Sequence, residues 1–468
     1  MSKIVKSLKE VIKLCGLKNG MTISFHHHLR NGDYVLNTIL EVVAEIGIKD
    51  LTLAASAFFP VHKPVIEHIK NEVITGIDTN YMIGPLAEAV SDGILEKPVI
   101  FRSHGGRARA IHDGNLKIDV AFIAAPSADE MGNISGVLGK SACGSLGYAM
   151  PDAIMADKVV AVTDNCVDFP ISPISIDQTQ IDYVVIVPVI GDPKGIVSGT
   201  TKITRDPIGL LIAKNAADVI EASGLLVDGF SFQTGAGGTS LAVAHYIRDK
   251  MKRKKICGSF GMGGITGYFV KMFNDGLFKK LIDVQCFDLD AVKSLSENPD
   301  HLEVSASFYA NPHAKSCAVD KLDSVILGAT EIDVEYNVNV LTNSNGRIMG
   351  GSGGHCDTSE GAKLTIIVAN LLRARIPIIV DKVLTKVTKG NTVDVLVTER
   401  GIAVNPSNKK LWERLKASGL SLMSIEELKS IAEKLAGKPE KIKMTADIIG
   451  EVEYRDGSRI DVVRKPLQ

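Results

Sequence analysis

Apolar and polar positions along this chain follow two periods in turn. Residues 1–20 set Lys3, Lys6, Lys9 and Lys13 among isoleucines, valines and leucines. That is an amphipathic helical pattern, and Gly20 stops it. MTISF (21–25) then reads as a strand, 34–47 as a helix, Asp50–Ala55 as a strand, Val65–Lys70 as a short helix and Val120–Ala125 as an unbroken apolar strand. Helices alternating with continuously apolar strands predict an α/β fold on mostly parallel sheets with helices on both faces.

A second series starts near residue 225. The helical run Pro207–Ser223 precedes GFSFQTGAGGTSLAVAHYIRDKM (229–251), read as a strand, a glycine turn and a helix opened by Thr239 or Ser240. GSFGMGGITG (258–267) reads as a further glycine turn. From Ile332 to Val340 apolar and polar residues alternate strictly, predicting one half-buried strand. Ser424–Ala436 reads as a helix with Ser424 as cap and Glu427 three residues on, a capping box, and a charged final strand closes the chain. Two domains are therefore expected, 1–224 and 225–468.

Composition narrows the class. The 468 residues are 45% hydrophobic and 23% charged with a formal net charge of −1, and no basic run is interleaved with aromatics, which argues against nucleic acid as a partner. The 43 glycines beside a single Trp suit a fold with many tight strand–helix turns. Seven cysteines, an odd number without a CxxC pair, argue against a disulfide framework and for a reducing cytoplasm. No apolar run reaches the roughly 18 residues that span a bilayer, so no membrane association is expected.

Several stretches carry candidate chemistry. Glu331 sits in a small-residue turn ahead of the alternating run, and the cluster Gly350-Gly351-Ser352-Gly353-Gly354 follows it. A carboxylate and a loop of freely aimed backbone N–H groups are two parts of an acyl-transfer site, one as nucleophile or base and the other as a cradle for an oxyanion. Against this, Glu331 could share a solvated face with Asp333 and Glu335. RSHGGRARA (102–110) gathers Arg102, His104, Gly105, Gly106, Arg107 and Arg109 directly after a strand, where α/β proteins place ligands. Guanidinium forks suit carboxylates and phosphates; the bland alternative is a solvated basic turn. Gly235, Gly237 and Gly238 could cradle phosphate at a helix N-terminus, though the turn lacks the full dinucleotide fingerprint. The run His26-His27-His28 is not expected to hold a metal, because neighbouring side chains diverge; with Arg30 it reads better as an anion-handling loop.

Together these motifs resemble the citrate lyase alpha subunits, the citrate:acyl-carrier-protein transferases. The resemblance runs from SFHHHLRNGDY (24–34) to EYRDGSRIDVVR (453–464), through RSHGGRARAI (102–111), GSLGYAMPDA (144–153), PISIDQTQIDYVV (173–185), GFSFQTGAGGTSLAV (229–243), GGSGGHCDT (350–358), RIPIIVDKVLT (375–385) and VTERGIAVNP (397–406). It implies two tandem CoA-transferase-like domains related by duplication. It also implies exchange of acetate for citrate on an acetyl-thioester, giving a citryl-thioester that a beta subunit cleaves to oxaloacetate. The chain itself would bind no cofactor, acting instead on the CoA-like prosthetic group of an acyl carrier (gamma) subunit. An oligomeric assembly is implied as well.

In the wider family a glutamate in an (A/S)-x-E-(V/I)-D turn attacks the thioester and a GxGG(x)xDF loop contacts the oxyanion. Ala329–Asp333 matches the first, placing Glu331 at the glutamate. Gly351–Asp357 matches the second, with Thr358 where relatives have Phe and without the RGA that follows. The transfer in citrate lyase is described as a ternary-complex reaction, which would make Glu331 a positioning group. Set beside that reaction, the candidates are Glu331, Gly353 and Gly354 for the chemistry, Arg102, His104, Gly105, Gly106, Arg107 and Arg109 for a cradle around citrate, and Gly235, Gly237, Gly238, Gly351 and Ser352 for the thioester's phosphate-bearing arm. The rivals are an acetyl-CoA hydrolase or short-chain CoA-transferase of the same fold, a nucleotide-binding oxidoreductase, for which the ribose-binding acid is missing, and a scaffold that only organises the complex.

Overall fold

Two large sheets, wound alike, organise the computed structural model, which describes residues 2–197, 202–235 and 237–467. In the first, Thr22–Phe25 is central, flanked in parallel by Leu51–Ala55 and Val120–Ala125. Successive strands leave it on one side (Leu51–Ala55, Ile74–Thr79, Val99–Phe101), and the chain returns to build the other (Val120–Ala125, Lys158–Thr163, Tyr183–Ile186, Ile4–Val5). In the second, Ser231–Thr234 holds the central place between Gly258–Ile265 and Ser324–Gly328. Phe278–Cys286 and His301–Glu303 continue one side, and Thr365–Val368, Val395–Val397 and Ile402–Val404 the other. Only the outermost Ile402–Val404 runs antiparallel there. Each sheet therefore has a switch point, at Phe25/Ala125 and at Thr234/Gly328, where strand order reverses and a crevice opens beyond the carboxyl ends.

The expected α/β architecture holds, and its cause is visible in burial. Every residue of Val120–Ala125 is buried, so VAFIAA shows no alternation. One apolar core includes Leu146 and Cys143 from the first half together with Cys286 and Val292 from the second. Gly147 permits that closeness: a Cβ there would lie 2.3 Å from the Val304 carbonyl oxygen and 2.7 Å from that of Val284.

Four local expectations need correction. The first helix spans only Leu8–Leu14, capped by Ser7, because Ile4–Val5 is drawn into the first sheet beside Tyr183–Ile186. GSFGMGGI is a strand and not a turn; its glycines leave room for rings, with Phe278, Phe269 and Phe287 where side chains at Gly258, Gly261 and Gly264 would stand. The alternating run from Ile332 folds back on itself as a hairpin, Glu331–Asp333 against Val338–Asn339. Asp333 Oδ1 accepts from the backbone N–H of Glu335 and Asn337, and Tyr336 takes a left-handed φ of 65°; side-chain capping of a turn overrode the period. The end of the chain is a two-stranded hairpin, Met444–Glu453 and Arg459–Pro466, that extends the first sheet in parallel from Val99–Phe101. A simple division at 224/225 leaves that return unaccounted for. The capping box at Ser424 and Glu427 is present as expected.

The returning hairpin also delivers a charge. Glu453 pairs with both Arg102 and Arg109, whose side chains are buried. Glu453→Ala leaves two buried guanidiniums short of a counter-charge, and such a loss costs about 3 kcal/mol. Denaturant unfolding should show that drop; a change within 0.5 kcal/mol, the usual range for a surface substitution (about ±0.5), would contradict the bridge.

Candidate functional site

Ser103 caps the helix His104–His112, its Oγ accepting from Gly106 N at 2.9 Å. The three arginines expected to cradle an anion here already have internal carboxylates. Arg102 donates to Asp78 at 2.7 Å and also pairs with Glu453. Arg107 places both Nη atoms on Asp152 at 2.7 Å, with Nη2 also on the Ala54 carbonyl at 3.0 Å. Arg109 reaches Asp113 at 3.2 Å and Glu453 at 2.5 Å. All three are buried. Their forks hold the helix between the first sheet and the closing hairpin, and the distant carboxylates that consume them cannot be read from local sequence. Burial would push the Asp152 carboxyl up, but Arg107 and His26 hold it below the ordinary carboxylate range.

Gly105 and Gly106 also serve packing. A Cβ on Gly105 would lie 2.0 Å from the Ala310 carbonyl oxygen, and one on Gly106 would crowd Ser103 Oγ at 2.9 Å. His104 is different. Its ring faces Tyr148 (centroids 4.4 Å apart) and His27 (5.8 Å), and Nε2 lies 3.6 Å from where a Gly353 Cβ would be. Burial, with Arg107 nearby, pushes its pKa down to about 3, so it is neutral at physiological pH.

The GGSGG loop crosses from the second half onto these first-half residues. Gly351 has no room for a side chain beside the Asn80 carbonyl, 2.1 Å from an ideal Cβ. Gly353, at φ +50°, donates its N–H to Asn80 O at 3.1 Å and accepts from His104 N at 2.8 Å. The Gly354 N–H has no hydrogen-bond partner among the described residues, and Tyr309 Oη lies 2.8 Å from its ideal Cβ position. The next helix, His355–Gly361, is pinned at both ends of the contact. Asp357 accepts from Ser103 Oγ and Gly105 N, both at 2.8 Å, while His355 bonds the Gly328 carbonyl at 2.9 Å and Thr388 at 2.7 Å. Burial, only partly offset by Arg455, pushes the Asp357 carboxyl up to about 6.

Around Gly353 and Gly354, then, stand His104, His27 and Tyr148 from the first half and Tyr309 and Gln233 from the second. Gln233 donates to Tyr309 Oη at 2.9 Å. His104 Nδ1, Gln233 Oε1 and Ser352 Oγ are buried without a hydrogen-bond partner among the described residues. Such groups are costly unless a ligand or water satisfies them. Arg30 brings a guanidinium 5.3 Å from the Phe59 ring and 4.7 Å from that of Phe287, on a backbone at φ 52°. Sequence reasoning passed over Tyr148, Gln233 and Tyr309; the one available signal was that Gln233 lies two residues ahead of Gly235. Of the three consecutive histidines, His26 and His28 stack with ring centroids 6.0 Å apart and bond Asp152 and the Ala124 carbonyl, while His27 turns to Ser56. Among the described residues no group of three or more His, Cys, Asp or Glu could hold a metal ion.

Glu331 is buried and not on a solvated face. Its Oε2 accepts from Asn339 Nδ2 at 3.0 Å and from Leu384 N at 3.1 Å. Burial pushes its pKa up, against those two bonds. It lines a hollow of about 460 Å³ between the hairpin 372–377 and the segment after Ala436. On the other side of that hairpin, at the switch point of the second sheet, a groove of about 500 Å³ runs past Gly237, Gly238, Ser240, Gly328, Ala329 and Arg373. Its floor is the N-terminus of the helix Gly238–Lys254, and Gly235 N is tied to Ile326 O at 2.7 Å. The residues expected along a phosphate-bearing arm thus divide. Gly237 and Gly238 line this groove and Gly235 does not, whereas Gly351 and Ser352 belong to the loop that meets the first half.

The arginine geometry makes a direct expectation. Arg107→Ala removes the partner of a buried carboxylate and should lower stability by about 3–5 kcal/mol, with KM for an anionic substrate and for a thioester changing together. A selective rise in the anion's KM with unchanged stability would return Arg107 to the binding site.

Comparison with known proteins was made against this geometry. Residues 1–466 match the family described as citrate lyase, alpha subunit (CitF). The citrate lyase alpha chain of Klebsiella pneumoniae is 52% identical over 463 residues, covering 99% of this chain and 91% of that one; the Escherichia coli K12 chain is 50% identical with the same coverage. The crystal structure described as the alpha subunit of citrate lyase from Streptococcus mutans, in complex with citrate, superposes with a TM-score of 0.98 at 49% identity, covering 100% of this chain and 92% of that one. A malonate decarboxylase alpha subunit from Acinetobacter baumannii shares the fold at 16% identity, with a TM-score of 0.68 and 93% of each chain covered.

Proposed function

We infer the activity from one premise: the chain belongs to the citrate lyase alpha-subunit family. It is a citrate transferase subunit that works with other citrate lyase subunits. It exchanges acetate for citrate on an acetyl-thioester, giving a citryl-thioester and acetate. The observation that carries this reading is the superposition of the whole chain on a relative solved with citrate. The same-fold hydrolase is not favoured by relatives that are all citrate lyase alpha chains at about half identity.

The finer assignments are ours. The thioester is delivered on the CoA-like arm of an acyl carrier subunit, and a beta subunit cleaves the product. The groove at Gly237, Gly238 and Ser240 suits that arm, because backbone N–H groups at the start of a long helix favour phosphate. Citrate occupies the contact between the halves beside Gly353 and Gly354. There Arg30 supplies positive charge, while His104 Nδ1 and Gln233 Oε1 offer polar atoms that the protein leaves unsatisfied. Arg102, Arg107 and Arg109 shape that wall from behind.

The chemistry needs no enzyme nucleophile, since citrate brings carboxylates of its own. One citrate carboxylate oxygen attacks the acetyl carbonyl and the C–S bond breaks, leaving thiolate and an acetyl–citryl anhydride. The thiolate then attacks the citryl carbonyl, and acetate departs with the bridging oxygen. Negative charge builds on a carbonyl oxygen in both steps. The open Gly354 N–H is the donor best disposed to meet it, and one such preorganised donor is worth roughly 3 kcal/mol. Gly353 acts through the loop, its own N–H being committed to Asn80. Glu331, held by Asn339 and Leu384, is a positioning group.

Purified chain with acetyl-CoA and citrate, followed by mass spectrometry, tests the activity. Citryl-CoA and acetate are expected in equal amounts; acetate without citryl-CoA would mean a hydrolase. Glu331→Gln should slow transfer by about a hundredfold, the scale of losing one aiding group. A loss of about 10⁴-fold or more, as when a covalent nucleophile is removed, would overturn its positioning role.

A further inference from the structure

The hairpin 372–377 separates the groove of the thioester arm from the hollow that ends at Glu331, so whatever delivers the arm must sit over it. Its exposed tip is unusual. Ala374 and Arg375 both take left-handed backbone (φ 49° and 65°), a conformation that costs a residue with a Cβ roughly 1–2 kcal/mol. The turn lifts Arg375 into solvent next to Ile376. The helix Ile425–Ala436 packs against this hairpin, and beside it the large apolar side chain of Ile376 stands exposed on the lining of the hollow.

Cations ring it. Arg375, Lys382, Lys429, Lys438 and Lys441 line the hollow, against Asp381, Glu433 and Glu440 near its mouth. Asp381 is held between Lys429 and Lys438, and Glu433 by Lys429. Arg375, Lys382 and Lys441 have no ion-pair partner among the described residues, and all three are exposed. An apolar centre inside a charged rim is the anatomy of a protein-binding patch, and unpaired cations select an acidic partner.

We propose that this patch, with Ile376 at its centre and Arg375, Lys382 and Lys441 on its rim, is the docking surface for an acidic face of the acyl carrier subunit. The inference rests on the carrier-borne thioester assigned above and adds where the carrier sits. Docked here, the carrier has the arm groove immediately beside it, past Arg373, and its arm runs inward to Gly328 and Ala329. Binding depends on rim charge, so it weakens with salt over the Debye length of about 8 Å at physiological ionic strength.

The test uses the full chain, acetylated acyl carrier subunit, acetyl-CoA and citrate. The triple variant Arg375→Glu, Lys382→Glu, Lys441→Glu should raise KM for the acetylated carrier about tenfold or more, the effect expected of repulsive rim charges on encounter, and should abolish its salt dependence. KM for acetyl-CoA should stay within about twofold, because no carrier surface is involved. An unchanged carrier KM overturns the proposal. So does a parallel rise for acetyl-CoA, which would mean that the cations hold the arm's phosphates. Hydrogen exchange on the wild-type chain provides a second reading that needs no variant. Carrier-dependent protection at 372–382 and 437–442 supports the surface, and protection elsewhere with none there overturns it. Failure of wild type to form citryl-thioester on either substrate would tell against the transferase reading, while the exchange footprint would still report docking.

Discussion

One buried carboxylate joins the parts of this molecule. Asp357, at the start of the helix after the GGSGG loop, takes hydrogen bonds from Ser103 Oγ and Gly105 N at the start of a first-half helix, and Arg455 of the closing hairpin approaches it to 3.6 Å. Two helix starts and the returning strand therefore share one anion. A carboxylate removed from water is stable only with such donors around it. Its pKa of about 6 reflects that contest, with burial outweighing the donors and Arg455. Because Asp357 holds Ser103 and Gly105, His104 is brought to Gly353, whose carbonyl accepts from His104 N at 2.8 Å, and the crossing loop is fixed with the Gly354 N–H unbonded among the described residues.

That clamp explains why the arginines of the basic stretch are structural. A helix pressed between a parallel sheet, a crossing loop and a C-terminal hairpin has no solvated face for Arg102, Arg107 and Arg109. Buried guanidiniums require carboxylates, and Asp78, Asp152, Asp113 and Glu453 supply them. The polar side chains gathered around Gly353 and Gly354 come instead from both halves: His104 and Tyr148 on one side, Gln233 and Tyr309 on the other. A site assembled this way exists only when the halves are packed together, which agrees with their continuous apolar core.

Sequence revealed the elements whose cause is local. Val65–Lys70, Val120–Ala125 and Pro207–Ser223 have the bounds that periodicity gives, and the capping box at Ser424 forms as written. It misled where a neighbour distant in sequence decides the outcome. GSFGMGGI looks like turn chemistry because the rings of Phe269, Phe278 and Phe287, which fill the missing side chains, come later in the chain. The arginines looked available because Asp78, Asp152 and Glu453 lie 24 to 351 positions away from them. The hairpin at Glu331 was hidden because a tight reversal preserves alternation. Residue chemistry singled out Glu331 and the glycine loop, family likeness added citrate as the acyl acceptor, and the structure ties the two regions together through the His355 bond to Gly328.

The central claim is that citrate itself attacks the acetyl-thioester at the seam, with Glu331 in a positioning role. A single-turnover reaction with citrate labelled by ¹⁸O in its carboxylates, in unlabelled water, tests it most directly through the mass of the acetate released. Direct attack requires acetate to leave with one ¹⁸O, the bridging oxygen of the anhydride. Unlabelled acetate would contradict the account, because its new oxygen would then have come from Glu331 in a covalent mechanism or from water in a hydrolase.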